Sequence, residues 1–172
     1  TSVAKTEAGL LVSMQTADGD EQVEAELVLS AIGRAPNVEN LGLENLGIKP
    51  TRKGIQVDDR MRTIVPHVYA IGDVALEGPM LAHVASHQGV VAVEDALGHT
   101  ARMDYTAVPS CIFTVPEAAG VGLTEEEARA KGYDVQVGVF SLANNGKAIT
   151  MGETDGFVKI ISEAEYGAVL GM

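Results

Sequence analysis

The sequence predicts a mixed α/β and α+β fold, and three features of its pattern indicate this. Extended apolar runs occupy residues 1–31 and return after Tyr105, bounded by Gly, Asn and Asp turn signals. One long stretch, residues 80–98, carries apolar residues at helical spacing. Directly before it, the apolar run HVYAIGDV (residues 67–74) leads into Asp73. A strand followed by a short loop and a helix is typical of an open α/β sheet.

Composition and charge narrow the class of protein. The 172 residues, 46% of them hydrophobic, allow one ordinary domain or parts of two. A formal net charge of −12 argues against nucleic acid or an anionic membrane as partner, because phosphate binding requires clustered cations. Cys111 is the single cysteine, which excludes an internal disulphide and favours a reducing, cytoplasmic location. No signal peptide is recognised at the start of the chain.

The N-terminal residues are predicted to form a strand meander. LLVSM (residues 10–14) is followed by the turn signal ADGD and by a second extended run, residues 21–33. That run first alternates apolar and charged residues and then, in LVLSAIG (residues 27–33), becomes apolar on both faces, as in a buried strand. Pro36 ends it. Residues 37–62 are predicted to be irregular because Gly and Pro interrupt them.

The helix predicted over residues 80–98 has clear start and stop signals. Pro79 suits its first turn and Gly98 its end. Gly89 in its middle costs about 1 kcal/mol against Ala, so close packing is expected over that position. The apolar stripe of this helix comprises Leu81, Val84, Ala85, Val91 and Ala92.

After Tyr105 the pattern predicts strands and one short helix. Thr124 and Glu127 have the spacing of a capping box, and Gly132 ends the helix. Cys111 is expected to be a buried apolar thiol in the strand SCIF (residues 110–113). Four further strands are predicted: VQVGVF, KAITMG, GFVKIIS and GAVLGM.

Asp73 is the first candidate for a binding group. Gly72 removes a side chain, so a ligand can approach the backbone, and the Asp73 carboxylate can accept hydrogen bonds from hydroxyl groups. The helix that begins near Met80 would direct amide N–H groups to the same region. A turn-capping role for Asp73 is an equally good interpretation on spacing alone.

Four segments together carry a resemblance to a known family. They are SAIGRAPN (30–37), RMRTIVPHVYAIGDVALEGPMLAHVASHQG (60–89), PSCIFTVPEAAGVGLTEEEARAKG (109–132) and ANNGKAITMGETDGFVKII (143–161). In this order they resemble the pyridine nucleotide-disulphide oxidoreductases. GPMLAH and the ANNGKAITMGETDGFVK run are most similar to the dihydrolipoyl dehydrogenase branch.

The resemblance implies a fold and a division into domains. The fold is expected to consist of partial FAD/NAD(P)-binding Rossmann-like segments followed by part of a mixed α+β dimerisation domain. Residues 1–36 would be the end of the NAD-binding domain, 37–104 the second segment of the FAD-binding domain, and 105–172 the truncated start of the dimer-interface domain.

The resemblance also implies site residues and partners. Asp73, after Gly72, would accept a hydrogen bond from the ribityl chain of FAD. The parent protein would be a homodimer that uses FAD and NAD and acts on a lipoyl-bearing protein of a 2-oxo acid dehydrogenase or glycine cleavage complex. Backbone amides that would contact the flavin belong to Met80, Leu81, Ala82 and His83, and the residues that would border NAD are Ala31, Ile32, Gly33 and Arg34.

Several family features are missing from this sequence. It has no Gly-x-Gly-x-x-Gly fingerprint, no redox Cys pair and no C-terminal His-Glu pair, so the chain is expected to be a fragment cut at both ends and inactive alone. Val115 and Gln88 stand where many relatives have His and Glu. Three functions stay open: a piece of a dihydrolipoyl dehydrogenase, a piece of a sister enzyme such as mercuric or glutathione reductase, or a non-catalytic dimerisation module.

A metal site is the weakest alternative. His83 and His87 have the i, i+4 spacing of paired ligands on one helix. The segment HVASH lacks the Glu of the zinc-protease motif, and no third ligand is evident, so we expect no metal.

Overall fold

The computed structural model describes residues 2–172, which form two compact units that meet between Ala35 and Pro36 in the sequence. The first unit is an antiparallel meander with the order β1-β2-β3. Leu10 pairs with Ala25 at one end of the second hairpin, and Thr16 pairs with Gly19 at its turn. The strands are β1 (Ser2–Thr6), β2 (Gly9–Thr16) and β3 (Gly19–Ala25). The predicted meander is therefore confirmed.

The buried strand predicted over residues 27–33 is wrong. These residues have no regular structure, and Leu27, Leu29 and Ile32 are 89%, 90% and 96% exposed. A strand that is apolar on both faces needs neighbouring strands and a layer on each side. Within residues 2–172 no strand pairs with this run.

The first core of the second unit packs beneath helix α1 (Ala82–Ala96). Val84, Val91 and Ala92 of the predicted apolar stripe are buried in it. A Cβ at Gly89 would lie 3.4 Å from Ile71 Cδ1, which confirms the expected close packing. Pro79 does not lie in the first turn, because the helix begins after its N-cap residue Leu81. The other buried residues of this first core are Ile48, Ile55, Val57, Met61, Ala70, Ala75 and Met103.

The remaining residues form two small antiparallel sheets and two short helices. Ala128, Val135 and Ile161 make a second core. Thr124 accepts a hydrogen bond from the Glu127 N–H while the Glu127 carboxylate accepts from the Thr124 N–H, so the capping box is confirmed. The sheets are β4-β5 and β6-β7-β8. The elements are β4 (Ser110–Ile112), β5 (Ala118–Gly120), α2 (Glu125–Ala130), β6 (Val135–Ser141), α3 (Gly146–Met151), β7 (Phe157–Glu163) and β8 (Val169–Gly171).

Two predictions in this part are wrong. KAITMG forms α3 rather than a strand, because the Asn145 side chain accepts hydrogen bonds from the Lys147 and Ala148 amides and so caps a helix. Cys111 is exposed, because β4 pairs with β5 alone and no second layer covers it among the described residues. No helix within residues 2–172 combines the length and apolarity needed to cross a membrane.

Candidate functional site

The segment that carries Asp73 is not the strand that the sequence predicts. It forms isolated bridges, antiparallel between Arg62 and Tyr69 and parallel between Ile55 and Ala75, and residues Gly72–Val74 form one 3-10 turn. Gly72 has φ +71°, a left-handed conformation that bends the chain out of an extended path. The apolar pattern therefore reflects burial of Ala70 in the core and packing of Val68 and Val74 against it.

Asp73 has an exposed side chain next to an anchored backbone. The Gly72 N–H donates to Gln88 Oε1 of α1 at 2.6 Å, and a Cβ at Gly72 would lie 3.4 Å from the Ala85 Cβ. Because Ala85 belongs to the first turns of α1, the backbone directly before Asp73 lies against the start of this helix.

The N-terminus of α1 presents free amide donors. No side chain among the described residues caps it, and its first turn contains no acidic residue. The Leu81 N–H donates to Pro79 O at 2.9 Å, and the Ala85 N–H makes the first intrahelical bond, to Leu81 O at 3.0 Å. The amides of Ala82, His83 and Val84 therefore lack intrahelical acceptors and carry the partial positive charge of the helix end.

The other predicted residues of this region lie at the same surface. Met80 and the His83 side chain are exposed, and His83 Nε2 lies 3.0 Å from Pro109 O. The structure thus brings Gly72 and residues 80–83 together around one helix terminus, with Asp73 beside them.

Gln88 is a buried polar residue of α1 that the sequence did not single out as a site residue. Its side chain is 1% exposed, and both ends of its amide are bonded. Oε1 accepts from Gly72, while Nε2 donates to Glu77 O at 3.1 Å and to Tyr105 Oη at 2.9 Å. A Gln at an otherwise apolar stripe position is the signal that points to it.

Asp95, near the end of α1, is the second missed residue. It is buried, and it accepts hydrogen bonds from Arg62 Nε at 2.5 Å, Tyr69 Oη at 2.8 Å and Arg60 at 3.1 Å. These donors, Arg62 above all, hold the pKa of Asp95 well below its ordinary value although burial opposes them. The bond to Asp95 raises the pKa of Tyr69 and that of Arg62.

The residues expected to border NAD lie in the first unit. Ala31, Ile32, Gly33 and Arg34 form an irregular, exposed segment that follows the meander. Its backbone has no regular secondary structure, and Arg34 adds one guanidinium to the segment.

Two depressions and one histidine pair lie elsewhere on the surface. One depression, of about 350 Å³, is lined by Val38, Leu43 and neighbouring residues, and another, of about 430 Å³, by Ser110, Thr124 and neighbours. Neither includes Asp73. His83 and His87 are exposed, and no cluster of three His, Cys, Asp or Glu residues with metal-site geometry occurs within residues 2–172.

Two family models match most of the chain. The model described as pyridine nucleotide-disulphide oxidoreductase matches residues 1–89. The model described as pyridine nucleotide-disulphide oxidoreductase, dimerisation domain, matches residues 108–172.

Curated relatives and solved structures agree with these matches. Dihydrolipoyl dehydrogenases of Bacillus subtilis and Thermus scotoductus are 44% and 47% identical over 95% and 98% of this chain. The structure of LpdA from Mycobacterium tuberculosis superposes with a TM-score of 0.87 at 36% identity, covering 99% of this chain and 37% of that one. The HOCl-induced flavoprotein disulfide reductase RclA from Escherichia coli gives 0.84 at 30% identity, covering 98% of this chain and 38% of that one. The chain spans 35% and 37% of the length of the two curated relatives.

Proposed function

The chain belongs to the pyridine nucleotide-disulphide oxidoreductase family, and we propose that it is a segment of a dihydrolipoyl dehydrogenase. The whole enzyme would reoxidise dihydrolipoamide with NAD through a redox disulphide and FAD. The observation that carries this proposal is the 44% and 47% identity to two curated dihydrolipoyl dehydrogenases over nearly the entire chain. The expected inactivity of the 172 residues alone is part of the same proposal, because Cys111 is the single cysteine.

The residues around α1 fit a flavin in their chemistry. The uncapped amides of residues 82–84 offer donors and partial positive charge, which suit an electron-rich carbonyl edge. The exposed Asp73 carboxylate offers an acceptor for sugar hydroxyl groups, and Gly72 brings the preceding backbone against α1. The bound flavin would supply the hydride and electron transfer of the reaction.

This chain would bind and orient that cofactor. Asp73 would hold the ribityl chain, and the amides of Ala82 and His83 would stabilise negative charge as it develops at the ring. Met80 and Leu81 would lie at the same edge, with the Leu81 N–H already bonded to Pro79 O. The segment of Ala31, Ile32, Gly33 and Arg34 would border NAD.

The proposed domain division follows the family. Residues 1–36 would end the NAD-binding domain, 37–104 would be the second FAD-binding segment, and 105–172 would begin the dimer-interface domain. The match of residues 108–172 to a dimerisation domain supports a homodimer. A lipoyl-bearing protein of a 2-oxo acid dehydrogenase or glycine cleavage complex would be its partner, in the cytoplasm.

A second candidate is a flavoprotein disulphide reductase with another substrate. The similarity to RclA, with a TM-score of 0.84, favours it over a non-catalytic module. Both candidates share the proposed flavin site and differ in the substrate of the redox disulphide.

The test is substrate choice by the longer protein that contains this chain. We expect the purified flavoprotein to reduce NAD with dihydrolipoamide, and to reduce glutathione disulphide or Hg(II) with NADH or NADPH far more slowly. Preference for either of the latter would replace the first candidate by the second, and a protein that binds no flavin would refute both.

A further inference from the structure

We infer that Gln88 is the positioning residue that fixes the Asp73 loop on the start of α1, an inference that rests on the proposed flavin site. The side-chain amide of Gln88 forms hydrogen bonds with both ends of the loop of residues 72–77. Gly72 N–H donates to Oε1 at 2.6 Å at the first end, and Glu77 O accepts from Nε2 at 3.1 Å at the last. Asp73 lies between these two bonds.

Burial makes this connection rigid. Gln88 is 1% exposed and lies among the buried residues of α1, so water does not compete for its hydrogen bonds. Asp73 itself is exposed. Asp73 belongs to the loop whose two ends Gln88 bonds, so the backbone that carries this carboxylate is tied to the helix by Gln88.

The two halves of the amide have different roles. Oε1 is an acceptor for Gly72, whereas Nε2 is a donor to Glu77 O and to Tyr105 Oη. Tyr105 Oη also donates to Glu77 O at 3.4 Å, so the Glu77 carbonyl has a second hydrogen-bond donor. The Gly72 N–H has Gln88 Oε1 as its acceptor. Loss of the acceptor is thus more harmful than loss of the donor.

Three variants of the longer, flavin-containing protein separate these effects. Gln88→Met keeps the side-chain volume and removes both the acceptor Oε1 and the donor Nε2. Gln88→Glu keeps an acceptor for the Gly72 N–H and loses the donor to Glu77 O. Val91→Ala is the control, because Val91 is buried on the same helix and makes none of these bonds. The measurements are the FAD dissociation constant of the apoprotein, the visible spectrum and reduction potential of bound flavin, and amide hydrogen exchange of residues 72–77 without flavin.

We expect Gln88→Met to raise the FAD dissociation constant about tenfold, the effect of one or two lost buried hydrogen bonds. It should also shift the flavin spectrum and potential and speed exchange at residues 72–77. Gln88→Glu should stay within about threefold of the unsubstituted protein. Val91→Ala should lower thermal stability without changing the spectrum, the potential or exchange in the loop.

Three results overturn the inference. The first is FAD binding by Gln88→Met equal to that of the unsubstituted protein. The second is FAD binding by Gln88→Glu as weak as that of Gln88→Met. The third is a change in the flavin spectrum or potential in Val91→Ala as large as that in Gln88→Met. Faster exchange at residues 72–77 in Gln88→Met supports the loop contact even without flavin. An unsubstituted protein that binds no FAD refutes the proposed function, and with it the role of Gln88 in that site.

Discussion

Replacing Gly54 with Ala tests how backbone contacts with residues 54 and 55 hold the Asp73 segment. Gly54 has φ +121°, and a Cβ there would lie 2.6 Å from the carbonyl oxygen of Val74. That oxygen accepts from the Ile55 N–H at 2.7 Å, and the Leu76 N–H donates to Ile55 O at 2.8 Å. The new methyl group would therefore push apart the bridge that supports residues 74–76.

The expected cost combines two effects. Two backbone hydrogen bonds contribute about 1 kcal/mol each, and an Ala held at this φ costs about 1–3 kcal/mol. We expect Gly54→Ala to lower the free energy of unfolding by about 3–5 kcal/mol, measured by urea denaturation followed by circular dichroism.

Gly156→Ala is the matched control for the backbone effect. Gly156 has φ +132°, and a Cβ there would meet the flexible Leu142 side chain at 3.1 Å rather than backbone. It should cost about 1–3 kcal/mol, from conformation alone. Equal losses in the two variants would refute the reasoning, because the contact with Val74 would then contribute nothing.

Three further predictions concern the cofactor, pH and activity. Asp73→Ala in the longer protein should weaken FAD binding by about 1–3 kcal/mol in a fluorescence titration, and unchanged affinity would remove Asp73 from the site. The lowered pKa of Asp95 means that its interactions with Arg62 and Tyr69 stabilise the fold above pH 3.8 and are lost as the pH falls below it. Thermal melting from pH 6 to about pH 2.5 should show this loss, and Asp95→Asn should show a flatter pH dependence. The 172-residue chain should form no NADH from dihydrolipoamide, because Cys111 is its single thiol. It should also lose flavin on gel filtration, because it has no Gly-x-Gly-x-x-Gly fingerprint to hold the ADP part of FAD; turnover or a yellow protein would contradict these expectations.

Local signals predicted the helices and hairpins well. The α1 stripe, the Thr124–Glu127 capping box and the strands β6 and β7 were all evident from residues close in sequence. Each of these elements is stabilised by its own turn chemistry or by the adjacent element. Local reasoning failed at KAITMG, where the capping amide of Asn145 outweighed the β-branched residues Ile149 and Thr150.

Apolar runs were the least reliable signal. Both LVLSAIG and HVYAIGDV were predicted as buried strands, and neither forms one. An apolar run indicates that its side chains are to be buried, but it does not identify the element that packs against them. At HVYAIGDV the cover is α1 and the backbone is irregular; at LVLSAIG no strand within residues 2–172 supplies it.

The exposed residues of the candidate site were predictable from the sequence, whereas its supports, the buried residues Gln88 and Asp95 with their hydrogen-bond partners, were not. Gly72, Asp73 and the start of α1 are adjacent in sequence, so their proximity followed from the pattern. The supports join distant residues: Gln88 to Gly72, Asp95 to Arg62 and Tyr69. A polar residue on an apolar helix face indicates that a partner exists, yet the partner is fixed only by the tertiary fold.

The supports explain how an exposed carboxylate can be held in place. Arg62 and Tyr69, bonded to Asp95, fix the chain before the 3-10 turn, Gln88 fixes its start, and the bridge from Ile55 fixes its end. Each support is buried or backbone-paired, whereas the Asp73 side chain bears none of the packing. Substitutions at the supports should therefore change stability and ligand binding together, whereas substitution of the exposed Asp73 should change ligand binding more than stability. This division follows from burial, and it separates residues that build the site from the residue that would touch the ligand.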